Sequence, residues 1–362
     1  MFTVLSPSPS ISKLDRDNNF NFLRLLFASL VLLSHGPELV DGNRHRELLT
    51  RVFGTISFGE FAVNSFFLLS GYLILASWQR KPDLRDFFDK RIRRIYPGFL
   101  VAILVSVFLV GPFAVSDVSE WFKSIQYPRL FLSALALQHP IEPEIPPLMF
   151  SGRPYQVLNG ALWSIPYEFF CYCVVAALGW LFTPSQQRWV WPVLLALFLA
   201  LLPFAEQLDA LSWSLPGRRF LGRAPVEFIR LFCFFAAGAC FYLFQQRLLL
   251  NRWSLVLAAM LAVASLFSAR WATVGLATFG TFALLVFALT PVAVLKPFQR
   301  LADVSYGTYL YGWPIQKLLD WYFPATSVWL LVVVAILLSW LAGYISWYLV
   351  ESHFIRRKYK QS

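Results

Sequence analysis

Long runs of apolar residues constrain this chain more than any other feature of its sequence. The 362 residues are 58% hydrophobic and 14% charged, and the apolar residues collect in runs rather than alternating with polar ones. A helix needs about 20 apolar residues to cross the ~30 Å hydrocarbon core of a bilayer, whereas a soluble domain needs no such runs. The sequence therefore predicts an all-α, polytopic integral membrane helical bundle and excludes a soluble domain.

Eleven runs are candidate membrane crossings. The run at 126–139 is too short to cross unaided, so we expect about ten transmembrane helices if that segment is re-entrant or lies in the interface. The remaining runs lie at 19–36, 58–77, 97–115, 159–182, 189–205, 225–244, 253–268, 272–295 and 302–350, the last being a pair divided near "YFPAT".

The basic residues predict the orientation of the bundle. With the N-terminus inside, the inner segments hold 18 Lys and Arg and the outer segments hold 10. Inner loops carry the excess of positive charge, so both termini are predicted to be cytoplasmic. We expect a disordered tail at 1–18, a transmembrane domain at 19–351 and a basic tail at 352–362. Insertion bias and anionic lipid headgroups account for the net charge of +11, so no nucleic-acid partner is expected.

The four cysteines fall inside predicted spans and show no spacing of paired ligands. No histidine neighbours them in the sequence, so they are interpreted as small packing residues. No metal site and no disulfide are predicted from Cys171, Cys173, Cys233 and Cys240.

The first span carries two ionisable residues on one face. Arg24 and His35 are 11 residues apart, which returns a helix to within about 20° of the same direction after a rise of ~16 Å. An ionisable group in a span costs ~2.5–3.5 kcal/mol and usually faces a cavity or a partner. From these two residues alone, interfacial anchoring remains an equal alternative, because Arg24 can extend towards the headgroups and His35 ends the apolar run.

Two further spans place polar groups in or beside the bilayer. In "FGEFAVNSFFLLSGYLILAS", Glu60, Asn64 and Gly71 share a face, and helix packing alone would explain Ser70 and Gly71. In "NGALWSIPYEFFCY", Pro166 is expected to free the carbonyl of Leu162 and kink the helix beside Glu168 and Tyr172.

The basic segment "DLRDFFDKRIRRIYPGF" lies at the inner surface. Arg91 and Arg94 occupy one turn there. A basic helix at this position commonly anchors to lipid. The alternative is a phosphate-rich ligand, because arginines at helical spacing make bidentate contacts with phosphate oxygens.

These motifs together resemble the membrane-bound acyltransferase 3 family, the bacterial integral-membrane O-acyltransferases. Five segments match in order over nearly the whole chain. They are "FLRLLFASLVLLSH" with Arg24 and His35, "VNSFFLLSGYLI" with Asn64, Ser70 and Gly71, "KRIRRIYP" with Arg91, Arg94 and Pro97, "NGALWSIPYEFFCY" with Trp163, Glu168 and Tyr172, and "SYGTYLYGWPIQ" with Ser305, Tyr306 and Tyr309.

Two positions depart from the family pattern. Many members carry His where this chain has Gly312, so a second catalytic histidine is not expected. Many members carry Pro shortly after the Glu of the last span, where this chain has His353, and we assign that histidine no role. An additional extracytoplasmic esterase-like domain, fused to some members, is not expected after Glu351.

The resemblance implies a bacterial inner-membrane enzyme that moves an acyl group, acetyl being favoured, from acyl-CoA to a hydroxyl of a cell-surface or exported glycan or glycolipid. His35 is then the candidate general base, with Glu168 or Glu60 holding its tautomer and Arg24 steadying the acyl carbonyl or a donor phosphate. A covalent acyl-histidine remains an alternative. Cofactor binding is assigned to Arg91, Arg94, Ser70 and Gly71, and substrate binding to Glu60, Asn64, Trp163, Tyr172 and Tyr309. The competing function is a transporter or flippase that uses buried His and Glu as a proton relay.

Overall fold

The computed structural model describes residues 18–138, 149–212, 225–248 and 252–356. Within these ranges the chain is helical and contains no strand. Nearly all of the predicted N-terminal tail and the last six residues of the predicted C-terminal tail lie outside the described residues. The all-α membrane bundle predicted from the sequence is confirmed.

Within the described ranges, ten helices build the bundle, and eight of them are long and apolar enough to cross a membrane. The other two are shorter or more polar: one has 14 residues and the other has 18 residues and a largely buried surface. We number them α1 Phe20–Asp41, α2 Phe58–Arg80, α3 Leu84–Ala114, α4 Gly160–Leu181, α5 Pro184–Leu208, α6 Pro225–Arg247, α7 Arg252–Ser265, α8 Ala269–Leu289, α9 Ser305–Tyr322 and α10 Val328–Ile355.

The short run predicted at 126–139 contains the helix Tyr127–Leu135. Its nine residues rise only about 14 Å, less than half of the hydrocarbon thickness. This segment therefore does not cross a membrane as a helix, which agrees with the prediction of about ten crossings.

Local sequence signals set the helix ends. Ser57 and Glu60 form a capping box at the start of α2, in which the hydroxyl of Ser57 accepts from the backbone N–H of Glu60 and the carboxylate of Glu60 accepts from the N–H of Ser57. Gly42 ends α1 in the left-handed conformation, with φ of 77°, and donates its N–H to the carbonyl of Glu38.

Helix α4 starts differently from the expected kink. Gly160–Ser164 form a 3-10 turn, and Pro166 lies in the first turn of the α-helix that follows. The carbonyl of Leu162 accepts from the N–H of Ile165, so the prediction that Pro166 frees it is wrong. Proline, which has no N–H, is accommodated there because residues in the first turn of a helix have no intrahelical acceptor for an N–H.

Helices α1, α2, α6 and α9 form the centre of the bundle. Helix α2 packs closely on α6, because a Cβ on Gly71 would overlap the backbone oxygen of Phe235 and a Cβ on Gly238 would overlap that of Leu68. Helix α9 lies between α1 and α10, and Gly312 faces Leu32 of α1. Small residues at crossings bring helix backbones close together in membranes.

The first helix begins on the same side of the bundle as the last helix ends. Arg24 near the start of α1 and Glu351 near the end of α10 are joined through Asp303 and Arg94. We call this side of the bundle the basic end, and the opposite side, where α1 finishes, the His35 end. A chain whose first and last crossings meet at one end makes an even number of crossings.

Candidate active site

A cavity of about 650 Å³ opens between α1, α2, α3, α4 and α9, with Ile355 of α10 at its edge. This volume falls within the range of roughly 300–1,000 Å³ that is typical of small-molecule sites. Seven of the twelve residues predicted from the sequence line it: Arg24, Ser70, Arg91, Arg94, Glu168, Tyr172 and Tyr309. The structure thus brings together side chains from five helices that are far apart in the chain.

Most of the cations lining this cavity are paired with carboxylates. Arg24 contacts Asp303 at 2.9 Å, and Arg94 contacts the same Oδ2 at 2.7 Å and Glu351 at 3.4 Å. Burial alone would raise the pKa of Asp303, but Arg94 and Arg24 hold it at about 2. At the mouth, Lys90 pairs with Asp86 and Arg93 pairs with Asp89, each four residues away on α3.

Arg91 is the exception among the lining cations. In the part of the chain that the structure describes, no carboxylate oxygen lies within ion-pair distance of its guanidinium. Its Nη2 donates to the hydroxyl of Ser77 at 2.8 Å, and its buried Nε has no hydrogen-bond partner among the described residues. Its guanidinium lies 5.8 Å from the ring centre of Tyr172. A buried guanidinium without a counter-ion is suited to bind an anion.

Glu168 lies at the centre of a hydrogen-bonded cluster. Its Oε1 accepts from Tyr172 at 2.5 Å and from Ser70 at 3.1 Å. The cluster joins α2 to α4, and these contacts satisfy one oxygen of a carboxylate that would otherwise be costly in the bilayer.

Aromatic rings line the deep end of the cavity. Phe66 and Tyr309 make an edge contact with ring centres 6.2 Å apart, and Phe27 and Phe61 continue the ring packing. We call these four residues the aromatic layer. The hydroxyl of Tyr309 is also hydrogen-bonded to Ser164 at 2.8 Å.

His35 does not line the cavity. Its Nδ1 is 3.2 Å from Oε2 of Glu38, and its ring makes an edge contact with Trp313 with ring centres 4.9 Å apart. Glu38 thus occupies the place for which Glu168 or Glu60 was expected, because those carboxylates are engaged elsewhere, with Tyr172 and with Ser57. The Arg24 and His35 ends of α1 are therefore separated along one helix.

Four other predicted site residues also lie outside the cavity. Gly71 faces Phe235 at the α2–α6 crossing, Glu60 caps α2, and Asn64 accepts a hydrogen bond from Arg230. Trp163 makes an edge contact with Tyr167, with ring centres 6.1 Å apart. These contacts give Gly71 a role in helix packing and Glu60 a role in capping, whereas their assignments to binding stay predictions.

Sequence reasoning missed several partners. Asp303 is 279 positions from Arg24, so no local pattern joins them. Glu38 was accessible to sequence reasoning, because it stands three residues after His35 on the same helix face. At the His35 end, Lys317 is fully buried and donates to the carbonyl of Pro154, a contact that no pattern in the sequence indicates. Among the described residues, no group of three or more His, Cys, Asp or Glu is placed to hold a metal ion.

Comparison with known proteins identifies the family. A family profile described as an acyltransferase domain, that of acyltransferase 3, matches residues 17–350. The chain belongs to the acyltransferase 3 family. An O-acetyl transferase of Shigella phage Sf6 is 26% identical over 359 residues, which covers 94% of this chain and 97% of that protein.

Two further relatives match shorter stretches. Nodulation protein 10 of Rhizobium leguminosarum bv. viciae is 27% identical over 178 residues, or 44% of each chain. An uncharacterized protein of Haemophilus influenzae is 38% identical over 74 residues, 20% of this chain and 30% of that one. No solved structure matches the chain significantly. The match over nearly the whole chain, together with the helical bundle, makes this acyltransferase 3 protein a multi-pass membrane O-acyltransferase.

Proposed function

We propose that this enzyme transfers an acetyl group from acetyl-CoA to a hydroxyl of a cell-surface or exported glycan or glycolipid, in the bacterial cytoplasmic membrane. The observation that carries the donor assignment is the cavity at the basic end, where Arg91 lacks a carboxylate partner among the described residues. The O-acetyl transferase of the Shigella phage supports acetyl as the group transferred. The predicted excess of basic residues in inner segments supports a cytoplasmic location for this end and for the donor.

The donor is oriented by the distribution of charge. Arg91 holds a phosphate of coenzyme A, while Arg24 and Arg94 are balanced by Asp303 and Glu351 and shape the cavity wall. The polyanionic half of the donor stays at the basic end, because charges cost several kcal/mol inside a span. The thioester arm, which is uncharged, extends along the cavity towards Phe66 and Tyr309.

The chemistry takes place at the His35 end. The acceptor hydroxyl oxygen attacks the thioester carbonyl while the imidazole of His35 takes the hydroxyl proton, which contributes about 10²–10⁴ in rate. The carbon–sulfur bond then breaks, and the sulfur of coenzyme A leaves with the proton that the imidazolium returns. The ester remains on the acceptor, and His35 ends the cycle neutral. Because His35 does not line the cavity, a direct transfer of this kind requires the thioester to extend past the cavity wall to His35.

A transfer assay tests this function. Membranes containing the enzyme are incubated with acetyl-CoA carrying a radioactive acetyl group and with candidate glycans. We expect label in the glycan with the wild-type enzyme and none above background with His35→Ala. Translocation of the glycan without acylation would instead support the transporter alternative and overturn the proposal.

The acceptor is identified by comparing surface glycans. Mass spectrometry of glycans from a strain lacking the gene should show the loss of a mass of one acetyl group per modified sugar, restored by the wild-type gene and not by His35→Ala. An unchanged glycan profile in the deletion strain would contradict the assignment of a surface glycan as the acceptor.

A further inference from the structure

The imidazole of His35 is held by groups that take no direct part in the proposed reaction. Glu38 lies one turn further along α1, and its Oε2 is 3.2 Å from Nδ1 of His35. Only 3% of the Glu38 side chain is exposed, against 19% for His35. A carboxylate this well buried requires partners for its charge, and His35 is one of them.

Arg44 supplies the second contact of this carboxylate. Its Nη2 lies 2.5 Å from Oε1 of Glu38. One carboxylate oxygen therefore contacts Arg44, and the other contacts His35. Tyr155, in the segment that precedes α4, also lies near Glu38. Three separate stretches of the chain therefore converge on one carboxylate.

The contact with Glu38 determines which nitrogen of His35 is free. An ionised carboxylate only accepts hydrogen bonds, so Nδ1 must donate and the proton of the neutral imidazole is on Nδ1. The lone pair is then on Nε2, for which the described residues provide no hydrogen-bond partner. The edge contact with Trp313 limits rotation of the ring, and the indole N–H of Trp313 is itself anchored to the carbonyl of Val157 at 3.1 Å.

We infer that Glu38, held by Arg44, is the positioning residue that fixes the tautomer and orientation of His35 for proton abstraction by Nε2. Glu38 also stabilises the imidazolium that forms when the acceptor hydroxyl loses its proton. This inference rests on the proposed function, in which His35 is the base. It makes Glu38 act through His35 without contact with either substrate.

Substitution of Glu38 separates positioning from binding. In Glu38→Gln the side chain keeps its size but loses its charge and offers an amide that can turn its NH₂ towards Nδ1. We expect kcat to fall at least about tenfold, by analogy with the carboxylates that orient metal-binding histidines, whose loss typically costs about 10–100-fold. The KM for acetyl-CoA and for the acceptor should stay within about twofold, since no substrate contact is lost. Glu38→Asp, which keeps the charge, should recover part of the lost kcat.

The matched control is Asp41→Asn. Asp41 is an exposed carboxylate on the same helix, one turn beyond Glu38, and pairs with Arg46 rather than with His35. Its kcat and KM should equal those of the wild type. If Glu38→Gln does not fold in detergent, Arg44→Gln provides the test, because it leaves Glu38 in place and removes the contact that orients it. We expect that variant to lose kcat, to a smaller extent, with KM retained.

The outcomes distinguish this inference from the function on which it rests. Wild-type kcat in both Glu38→Gln and Arg44→Gln, with His35→Ala inactive, would overturn the positioning role alone. A raised KM with unchanged kcat in Glu38→Gln would make Glu38 a binding residue and would also overturn it. Full turnover by His35→Ala would refute the base assignment, and the role of Glu38 with it.

Discussion

Arg91 provides the sharpest test of donor binding. Arg91→Gln removes the guanidinium that lacks a carboxylate partner among the described residues, together with its hydrogen bond to Ser77, and keeps a polar side chain. A hydrogen bond to a charged group is worth about 1.5–3 kcal/mol, which corresponds to roughly 10–150-fold in affinity. We therefore expect the KM for acetyl-CoA to rise by about that factor, with kcat at saturating donor much less affected.

Two neighbouring arginines serve as comparisons. Arg93 also lines the cavity, but it forms an ion pair with Asp89 on the same helix, so Arg93→Gln should change KM by no more than a few-fold. Arg94→Gln should behave differently again, because it removes a cation that pairs with the negative charges of Asp303 and Glu351. We expect that variant to lower the melting temperature more than the other two.

The measurements are donor titrations and thermal melting of protein in lipid nanodiscs. Binding of coenzyme A is also measured directly at two salt concentrations, since a phosphate contact weakens as salt rises. Equal effects of Arg91→Gln and Arg93→Gln on KM would refute the argument that the absence of a counter-ion distinguishes Arg91. A large rise in the KM for acetyl-CoA in Arg94→Gln, with an unchanged melting temperature, would also refute that argument.

Three other substitutions test an ion pair, a helix crossing and the selection of acyl length. Asp303→Asn should lower the free energy of unfolding by about 2 kcal/mol near pH 7, because the wild-type pKa is held at about 2 instead of the ordinary 3.8 and each pKa unit corresponds to about 1.36 kcal/mol. This contribution of the carboxylate to stability is present above its unfolded pKa of 3.8 and is lost as pH falls towards 2. Thermal melting at several pH values checks it. Gly71→Val should abolish recovery of monodisperse protein in detergent, because its side chain would overlap the backbone of Phe235. Phe66→Ala should raise kcat/KM for butyryl-CoA relative to acetyl-CoA by about tenfold or more, since it removes a ring from the deep end of the cavity; an unchanged ratio would show that Phe66 does not limit acyl length.

The helices and the charged candidates were accessible from the sequence because hydropathy and helical spacing are local properties. The ordered motifs were sufficient to select Arg24, Arg91 and Glu168, and all three line one cavity. Helical spacing also placed Arg24 and His35 on one face of α1. It could not show that Arg24 lines the cavity whereas His35 does not.

Pairing of charges was not predictable, because it depends on contacts between distant helices. Arg24 and Arg94 were predicted to bind donor groups, yet they share Asp303, whose sequence position gives no hint of either. Glu60 shows the opposite case, since its capping role could be predicted from the Ser57-x-x-Glu60 pattern in the sequence. The interpretation of Glu60 as an acidic residue inside a span neglects its local role at the helix end.

The separation of the two ends of α1 has a chemical consequence for a transferase. A thioester exposed to water at the site of proton abstraction would lose its acyl group to hydrolysis as well as to the acceptor. In the proposed function Arg91 holds the anionic part of the donor at the basic end, and only the uncharged arm extends past the aromatic rings towards His35. In that function, rings beside the path of the acyl group would favour acetyl over longer chains, which the Phe66→Ala variant tests. The charge at the basic end and the ring packing beside the cavity therefore act on the same step, the delivery of the acyl group to the histidine.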